Sequence, residues 1–529
     1  MSSTRGWQGR VALLLLAVLA YAARVWWMDD GRYVLYDDAF ISFRYAHNLA
    51  HGYGLVFNPG QYVEGYTNFL WVILLASGIR MGGDVIWVAK AAGIICGLGV
   101  IVLTTLLASR LVPEGGIWTV FPVLLLVATS SLARYALSGM ETLMFSMWLC
   151  LALWLELGIG RWWGGMPAAV TLALASLTRP EGLLFFGMFV IAWTIERVLR
   201  GDGYIVVLRG ELLRLLTFSV IYVPYFLWRY TYYGYLLPNT FYAKAGGLSI
   251  AAVGRGLRYL RDGLLIMNLP LLIWGSCVLL ALKRRGVPAM LSVLAAYLAY
   301  VVIIGGDDLR VFGPRFLLIV FPWLTVLGLV GLSELASRRW QTRWPWPVIF
   351  ALALLALTGG LSFFEASAYR RVVETMNRGW WTAAEWLAVH ATPGSLVAVD
   401  AAGIIPYHTG LPTVDMLGLN DTHIAHLSVS TLGSGLAGHE KFDPDYVLAR
   451  QPTYVSTWLD SRGRPQSAGL EQVADRLAEQ YELAVVVLVR RPEPGEPTWF
   501  DLSATTYTEE LHRCGYIYGI FRLRMEGSL

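Results

Sequence analysis

Few charged residues and few cysteines distinguish this sequence of 529 residues. Asp, Glu, Lys and Arg make up 15% of it, against roughly 25% in an average soluble domain, whereas 56% of its residues are hydrophobic. Such a composition excludes an ordinary soluble domain and predicts a protein that resides in lipid. The net charge of +4 is small, so no nucleic-acid partner is expected.

The cysteines and histidines do not form recognisable bridging or metal-binding patterns. Cys96, Cys150 and Cys277 lie within apolar runs and Cys514 alone falls in the polar C-terminal part, so we expect no disulfide framework. The sequence contains neither an HExxH motif nor a cysteine-paired histidine set. We therefore predict no metal site and no cofactor.

Long apolar runs recur through the first two thirds of the sequence. A helix needs about 20 apolar residues to cross the hydrocarbon core, and eleven runs reach or approach that length: 11–27, 85–109, 117–136, 140–157, 162–178, 182–198, 212–228, 264–282, 287–304, 316–335 and 346–364. The run from Phe69 to Ile79 is too short to span, so we predict an interfacial or re-entrant helix there. No small-residue cleavage site follows the first run, which is predicted to be a retained anchor.

The loops between these runs fall into two sets. With a cytoplasmic N-terminus, the inside loops are short and basic, as the positive-inside rule expects, although basic residues in the outside loops prevent a bare count from deciding the orientation. The outside set holds every motif-like stretch: YDDAFISFRYAHNLAHGYGLVFNPGQYVEGYTN, SGMET, TRPEG, LPNTFYAK and GGDDLRVFGPR. We therefore predict that the functional face is the outer one.

From about residue 365 the composition becomes that of a soluble domain. The patterns predict helices around 368–390 and 469–481, and strands at 396–399, 454–456, 483–489 and 518–523. The predicted organisation is a transmembrane catalytic domain at 1–364, with a long first outer loop at 28–68, followed by a soluble α/β or α+β domain at 365–529. After an odd number of spans, that second domain lies outside the membrane.

The first outer loop contains two adjacent acids, Asp37 and Asp38, directly before a segment with helical spacing of apolar residues. The pair can cap that helix by accepting hydrogen bonds from its backbone N–H groups. It can also act on a substrate, one carboxylate removing a proton from an acceptor hydroxyl while the other orients it. Because a cap uses one carboxylate and there are two, the catalytic reading is favoured.

Four cations of the outside loops are candidates for binding a phosphate group, because charge collects on its oxygens as a bond to it breaks: Lys244, Arg179, Arg310 and Arg315. Lys244, Arg179 and Arg315 are the favoured three. Lys244 can instead snorkel to the membrane interface, and Arg179 has Glu181 two residues on, which favours an ion pair. Arg310 can pair locally with the acids beside it. The polar groups predicted to contact substrate on the same face are Glu64, Asn239, Tyr242, Glu141 and Asp307.

Taken together, DDAFISFRYAHNLAHGYGLVFNPGQYVEGYTNFLW, TRPEG, LPNTFYAK and DAAGIIPYHTGLPTVDMLGLNDTHIA resemble the terminal β-arabinofuranosyltransferases of cell-wall arabinan synthesis. These are integral-membrane glycosyltransferases of the GT-C superfamily, and the resemblance runs from about Tyr36 to Tyr454. It implies a polytopic α-helical fold of the GT-C type and an inverting transfer of a sugar from a polyprenyl phosphate. The acceptor would be a cell-envelope glycan or glycolipid, and the sugar arabinofuranose or another pentose.

The resemblance also implies that an acid of the first outer loop is the base, which maps onto Asp37 or Asp38. By analogy with GT-C acidic dipeptides, Asp37 is the favoured base and Asp38 the orienting residue. The expected location is the bacterial cytoplasmic membrane, with the active site and the C-terminal domain on its extracytoplasmic face.

Two other classes of protein fit the composition. A transporter or flippase of a lipid-linked sugar would place its polar residues near the bilayer midplane on broken helices, whereas the polar motifs here cluster at one end of the apolar runs. A non-catalytic surface protein would require the same polar groups to be purely structural. The enzyme is the favoured hypothesis.

Overall fold

The computed structural model describes residues 2–159, 165–244, 250–267, 269–309, 311–339, 346–429, 435, 438–460, 462–488, 499–501 and 517–524. Arg310 and Cys514, both singled out above, lie outside the described residues. Helices dominate the chain up to about residue 390, and a small sheet follows. This order agrees with the composition change in the sequence.

Seventeen α-helices occur in the described residues before the sheet. They are α1 (Ser2–Met28), α2 (Asp37–Ala50), α3 (Phe69–Arg80), α4 (Val85–Leu111), α5 (Phe121–Ala128), α6 (Ser130–Leu137), α7 (Thr142–Ile159), α8 (Met166–Thr178), α9 (Glu181–Leu199), α10 (Tyr204–Tyr233), α11 (Asn239–Lys244), α12 (Ile250–Arg261), α13 (Leu269–Ser276), α14 (Val287–Ile303), α15 (Arg315–Arg339), α16 (Trp346–Tyr369) and α17 (Thr375–His390). Shorter 3₁₀ or π turns occupy Gly31–Val34, Pro113–Val120, Asp262–Met267, Cys277–Ala281 and Arg370–Glu374.

Five helical stretches in the described part of the chain are long and apolar enough to cross a membrane: Gln8–Met28, Val85–Leu111, Glu181–Leu199, Arg315–Glu334 and Ala351–His390. A sixth is obtained if α5 and α6, which meet at a 62° bend, count as one span. Four other apolar helices in the described residues are shorter than these stretches: Phe69–Arg80, Thr142–Gly158, Met166–Thr178 and Val287–Ile303. Eleven spans therefore stay a prediction, while a multi-pass membrane protein is supported.

Two predicted spans are interrupted, and one break has a visible cause. The run 117–136 breaks at Thr129, whose backbone is extended. Ser130 and Ser131 then donate hydrogen bonds to the carboxylate of Glu365, both at 3.0 Å, so these polar groups are satisfied by α16 and do not continue a straight apolar helix. The run 264–282 is divided among a π turn, α13 and a 3₁₀ turn.

The helices of the bundle approach closely where glycine removes a side chain. A Cβ added to Gly93 of α4 would lie 2.2 Å from the carbonyl oxygen of Ala136, and one added to Gly331 of α15 would lie 1.8 Å from that of Cys277. Small residues at such contacts let helix backbones pack within the membrane. Substitution with alanine at either position would force the helices apart.

The C-terminal sheet has six strands: β1 (Val397–Val399), β2 (Thr413–Asp415), β3 (Tyr454–Leu459), β4 (Tyr481–Leu488), β5 (Trp499–Asp501) and β6 (Ile517–Leu523). Their order is β2-β1-β3-β6-β4-β5. The first three strands are parallel, and β6 and β5 run antiparallel to their neighbours. The helices around it are α18 (Ile404–Thr409), α19 (Thr422–Ala425), α20 (Pro444–Ala449) and α21 (Ala474–Gln480), with a 3₁₀ turn at Leu470–Val473.

All four strands predicted from the sequence are present as β1, β3, β4 and β6. The two missed strands, β2 and β5, have three residues each. The predicted helices correspond to α17 and to the 3₁₀ turn joined to α21.

Candidate active site

Five segments bring polar side chains to one end of the helical bundle. They are the start of α2, the turns that precede α7 and α9, the short helix α11, and the loop between α14 and α15. The loop that leads from β1 into α18 closes over the start of α2. All ten sequence-predicted site residues lie on these segments, at the first residue of α15, or on the loop between α2 and α3.

Asp37 is the first residue of α2, but its carboxylate is bound by a different helix. Its two oxygens accept hydrogen bonds from the backbone N–H groups of Gly403, at 3.1 Å, and Ile404, at 2.7 Å, where α18 begins. A Cβ added to Gly403 would lie 1.9 Å from the carbonyl oxygen of Asp37, so only glycine permits this approach. Burial raises the pKa of Asp37 to about 7, with a further contribution from the charge of Asp38 and against the lowering effect of the two N–H donors.

The carboxylate of Asp38, one residue later, has no hydrogen bond or ion pair to any other described residue. The side chain is only partly buried. Its charge acts on both Asp307 and Arg315 across the site. A carboxylate in that position can accept a proton from a bound hydroxyl without first breaking a protein contact.

Arg315 and Asp307 form an ion pair opposite the two acids. An Arg315 guanidinium nitrogen lies 2.6 Å from Oδ2 of Asp307, and the guanidinium lies over the rings of Phe312 and Phe316 at 4.6 and 5.4 Å. Its Nε has no hydrogen-bond partner among the described atoms although it is buried. Burial raises the pKa of Asp307, and the positive charges of Arg315 and Lys244 oppose that rise.

Lys244 completes this charged group from the end of α11. Its side chain is exposed, and its charge reaches Asp307. The alkyl part passes close to Gly438, where an added Cβ would lie 3.1 Å from Cε of the lysine. Asp38, Asp307, Arg315 and Lys244 thus form one group of interacting charges, and Asp37 precedes Asp38 in the chain.

Arg179 lies next to Arg315 but is held by two glutamates. Its guanidinium donates to Glu141 at 2.6 Å and to Glu181 at 2.8 and 3.2 Å. Glu141 also accepts a 2.8 Å hydrogen bond from Asn68. The ion pair with Glu181 that the sequence favours is therefore present, and these groups form a buried network beneath the cations rather than an open binding surface.

Glu64 and Asn239 join the helical bundle to the C-terminal segment. The carboxylate of Glu64 pairs with Arg229 at 2.6 Å, and its backbone carbonyl accepts the N–H of Asn239 at 3.0 Å. The Asn239 amide donates to the carbonyls of Gly418 and Leu419 at 2.9 and 3.0 Å. Burial raises the pKa of Glu64 to about 7, while Arg229 acts in the opposite direction.

Tyr242 also contacts the C-terminal segment. Its ring stacks on His426 with centroids 4.3 Å apart, and its backbone carbonyl accepts a 2.9 Å hydrogen bond from Lys441. The predicted substrate-binding role of Glu64, Asn239 and Tyr242 stays a prediction, because their recorded contacts tie segments of the chain together.

Sequence reasoning missed Arg229 and Arg44. Arg44 is buried on α2 and donates to the carbonyls of Phe57, Pro406 and Leu411, which fastens the first outer loop and α18 to the same helix. The sequence did offer one signal for Arg44: it is a basic residue among apolar ones on α2, six residues after Asp38. Asp400, which directly follows β1, accepts hydrogen bonds from Tyr518 and Thr457.

No group of three or more His, Cys, Asp or Glu side chains suited to a metal ion occurs in the described residues. The chemistry available at this end of the bundle is that of carboxylates, guanidinium groups and an amine.

Comparison with known proteins finds relatives among the terminal β-arabinofuranosyltransferases that the motifs resemble. A family model described as "Domain of unknown function (DUF8728)" matches residues 367–507. The terminal β-(1→2)-arabinofuranosyltransferase of Corynebacterium glutamicum is 29% identical over 376 residues, which cover 62% of this chain and 52% of that protein. The enzyme of the same name from Mycobacterium tuberculosis is 29% identical over 246 residues, 44% of this chain and 38% of its own length. The chain spans about half the length of the first of these relatives.

Among solved structures, ArnT from Cupriavidus metallidurans, a GT-C enzyme solved with undecaprenyl phosphate bound, superposes with a TM-score of 0.56. The two chains are 16% identical, and the match covers 97% of this chain and 98% of ArnT. At that identity the likeness establishes the fold alone. The chain thus has a GT-C-type fold and resembles the terminal β-arabinofuranosyltransferases.

Proposed function

We propose that this chain is an inverting glycosyltransferase, which moves a sugar from a polyprenyl-phosphate donor to a hydroxyl of a cell-envelope glycan or glycolipid. The observation that carries the proposal is that a carboxylate, Asp38, and two cations, Arg315 and Lys244, lie within electrostatic reach of Asp307 at one end of an apolar bundle. The sugar is proposed to be arabinofuranose or another pentose, because both curated relatives are named arabinofuranosyltransferases.

In the proposed reaction, the acceptor oxygen forms a bond to the anomeric carbon as the bond from that carbon to the phosphate oxygen breaks. The acceptor proton passes to a carboxylate, and the electron pair of the broken bond stays on the phosphate. We assign proton removal to Asp38, because its carboxylate has no hydrogen bond or ion pair to another described residue, while that of Asp37 already accepts two backbone hydrogen bonds. This reverses the assignment made by analogy from the sequence, and Asp37 becomes the residue that positions α2 against α18.

The cations are proposed to stabilise the departing phosphate. Arg315 offers a buried Nε without a partner among the described atoms, and Lys244 offers an exposed ammonium beside it. Donors placed where charge develops in the transition state are worth more than donors that bind the ground state alone. Arg179 is not assigned to the phosphate, because its own donors face Glu141 and Glu181.

A direct test offers radiolabelled polyprenyl-phosphoryl pentoses to the purified protein together with a glycan acceptor. Transfer of label to the acceptor is the expected result. Movement of labelled lipid across proteoliposomes without any glycosidic product would instead identify a flippase, and the enzyme proposal would be rejected.

Lys244→Ala should weaken use of the donor. A charge-assisted hydrogen bond contributes roughly 1.5 to 3 kcal/mol, so the rate at subsaturating donor should fall about tenfold or more. Lys283→Ala, which removes another exposed lysine away from the site, is the matched control and should leave the rate unchanged. An equal rate for both variants would assign Lys244 to snorkelling.

The active site and the C-terminal sheet are proposed to face the outside of the cytoplasmic membrane. Arg464 is exposed in the loop after β3, and Arg464→Cys in a Cys514→Ser background supplies an accessible thiol. A membrane-impermeant maleimide should label it in intact spheroplasts. If labelling requires lysis, this face is cytoplasmic and the proposed orientation is wrong.

A further inference from the structure

A second polar cluster lies at the end of the bundle opposite to the candidate active site. α9 begins at Glu181, which pairs with Arg179 beneath the catalytic cations, and ends at Leu199. At 1.5 Å per residue these 18 steps place its ends about 27 Å apart, close to the roughly 30 Å of a hydrocarbon core. The second cluster therefore lies at the level of the other membrane interface.

The cluster surrounds a cavity between the ends of α4, α7 and α9 and the start of α14. Its charged lining consists of Arg110, Arg197, Arg200, Arg285, Glu156 and Glu196. Four arginines against two glutamates give the lining a charge of +2. Trp193 also lines the cavity, and tryptophan favours membrane–water interfaces.

The two glutamates are neutralised by groups behind or beside them. Both carboxylate oxygens of Glu156 accept hydrogen bonds from the fully buried Arg214, each at 2.8 Å. Glu196 accepts from Arg200 at 2.8 Å and from the backbone N–H of Gly286 at 2.6 Å. The acids thus anchor the walls, and positive charge predominates at the open side.

Arg110 faces this cavity without an acidic partner among the described residues. Its guanidinium lies over the ring of Trp154 at 4.5 Å and donates to that residue's carbonyl at 2.5 Å. A Cβ added to Gly158 would lie 2.0 Å from one of its nitrogens, so the glycine makes room for the guanidinium. On the other side of the cavity, the side chain of Arg285 is 53% exposed and its nearest carboxylate, Asp202, is 3.9 Å away.

We propose that this cavity binds the phosphate of an anionic phospholipid from the leaflet opposite to the active site. A basic pocket between transmembrane helices suits such a headgroup, since guanidinium groups bind phosphate oxygens in a paired geometry. The apolar helix surfaces around the pocket would contact the acyl chains. A free phosphate ion shares the headgroup chemistry but lacks the chains, which lets experiment separate the two sources.

The test measures thermal unfolding of the full chain in a neutral detergent as phosphatidylglycerol is added. The wild-type protein should be stabilised, and R110Q/R285Q should need about tenfold more phosphatidylglycerol for the same shift. Phosphatidylcholine and inorganic phosphate should have little effect at the same concentrations. R80Q, which removes an exposed arginine at the end of α3, is the control and should respond like the wild type.

A second variant and a second measurement keep the proposal testable if R110Q/R285Q misfolds. Arg200 and Arg285 have side chains 34% and 53% exposed, so R200Q/R285Q removes two charges at the edge of the packed bundle. Glutamine at position 200 can still donate a hydrogen bond to Glu196, the partner of Arg200. Native mass spectrometry should find fewer bound phosphatidylglycerol molecules on either double variant than on the wild type. Equal lipid binding and equal stabilisation in all variants would overturn the proposal, and stabilisation by inorganic phosphate alone would overturn the lipid source.

Discussion

Asp38→Asn is expected to lower turnover about 10²- to 10⁴-fold, the usual contribution of a positioned general base. A sugar hydroxyl is a poor nucleophile at neutral pH, so removal of its proton as the new bond forms is the assistance that the reaction most needs. Asparagine keeps the size of the side chain and loses the ability to take up that proton. Because the carboxylate has no hydrogen bond or ion pair to another described residue, expression and thermal stability should stay near those of the wild type.

Asp37→Asn is the matched variant, one residue away and of identical chemistry. Its amide oxygen can still accept the N–H of Ile404, now without the negative charge, whereas the NH2 group that replaces the other oxygen cannot accept the N–H of Gly403, so one of the two hydrogen bonds to the start of α18 is lost. We expect a lower melting temperature and a turnover within about tenfold of the wild type, because the loss acts through docking of the loop. Steady-state turnover at saturating donor and acceptor, measured beside thermal unfolding, separates the two effects.

The opposite pattern would restore the assignment made from the sequence, with Asp37 as base. Near-native turnover in both variants would remove the pair from the chemistry altogether. Glu64 and Glu141 would then be the next candidates, although both are held by cations or amides.

The sequence was sufficient to predict the helical membrane class, four of the six strands and the end of the bundle at which the polar motifs meet. Apolar run length and alternation are local signals, and a pair of acids beside a helix start is visible in the chain itself. Two strands escaped because three residues are too few to show a pattern. The number of spans could not be predicted from local patterns either. Polar groups such as Ser130 donate hydrogen bonds to a helix that is distant in sequence, and the chain bends there.

The division of labour within the acid pair could not be read from the sequence. Asp37 is occupied by N–H groups of residues more than 360 positions away, and no local pattern reports such a contact. The same holds for Arg179, whose neighbour Glu181 was visible while its second partner Glu141 was not. The sequence thus predicted which residues lie at this end of the bundle better than it predicted what each of them contacts.

Arg315→Gln is expected to have the second large effect, a loss of about 10²- to 10³-fold in turnover, as when a donor to a developing negative charge is removed. The substitution also leaves Asp307 with Lys244 as its remaining cation, and breaking a buried ion pair costs about 3 to 5 kcal/mol of stability. A loss of activity by itself would therefore not distinguish a catalytic role from unfolding. The two causes separate in a variant in which the buried charge of Asp307 is removed as well.

R315Q/D307N supplies that variant, because neither partner is then left charged and unpaired. Its melting temperature should recover toward the wild-type value, whereas its turnover per folded molecule should stay as low as that of R315Q, since the missing charge on the phosphate is not replaced. K90Q/D29N, which dissolves another ion pair of 2.6 Å with a buried lysine, serves as the control and should retain turnover. If R315Q/D307N regains turnover together with stability, Arg315 only maintains the fold, and stabilisation of the leaving phosphate must come from Lys244 or from elsewhere.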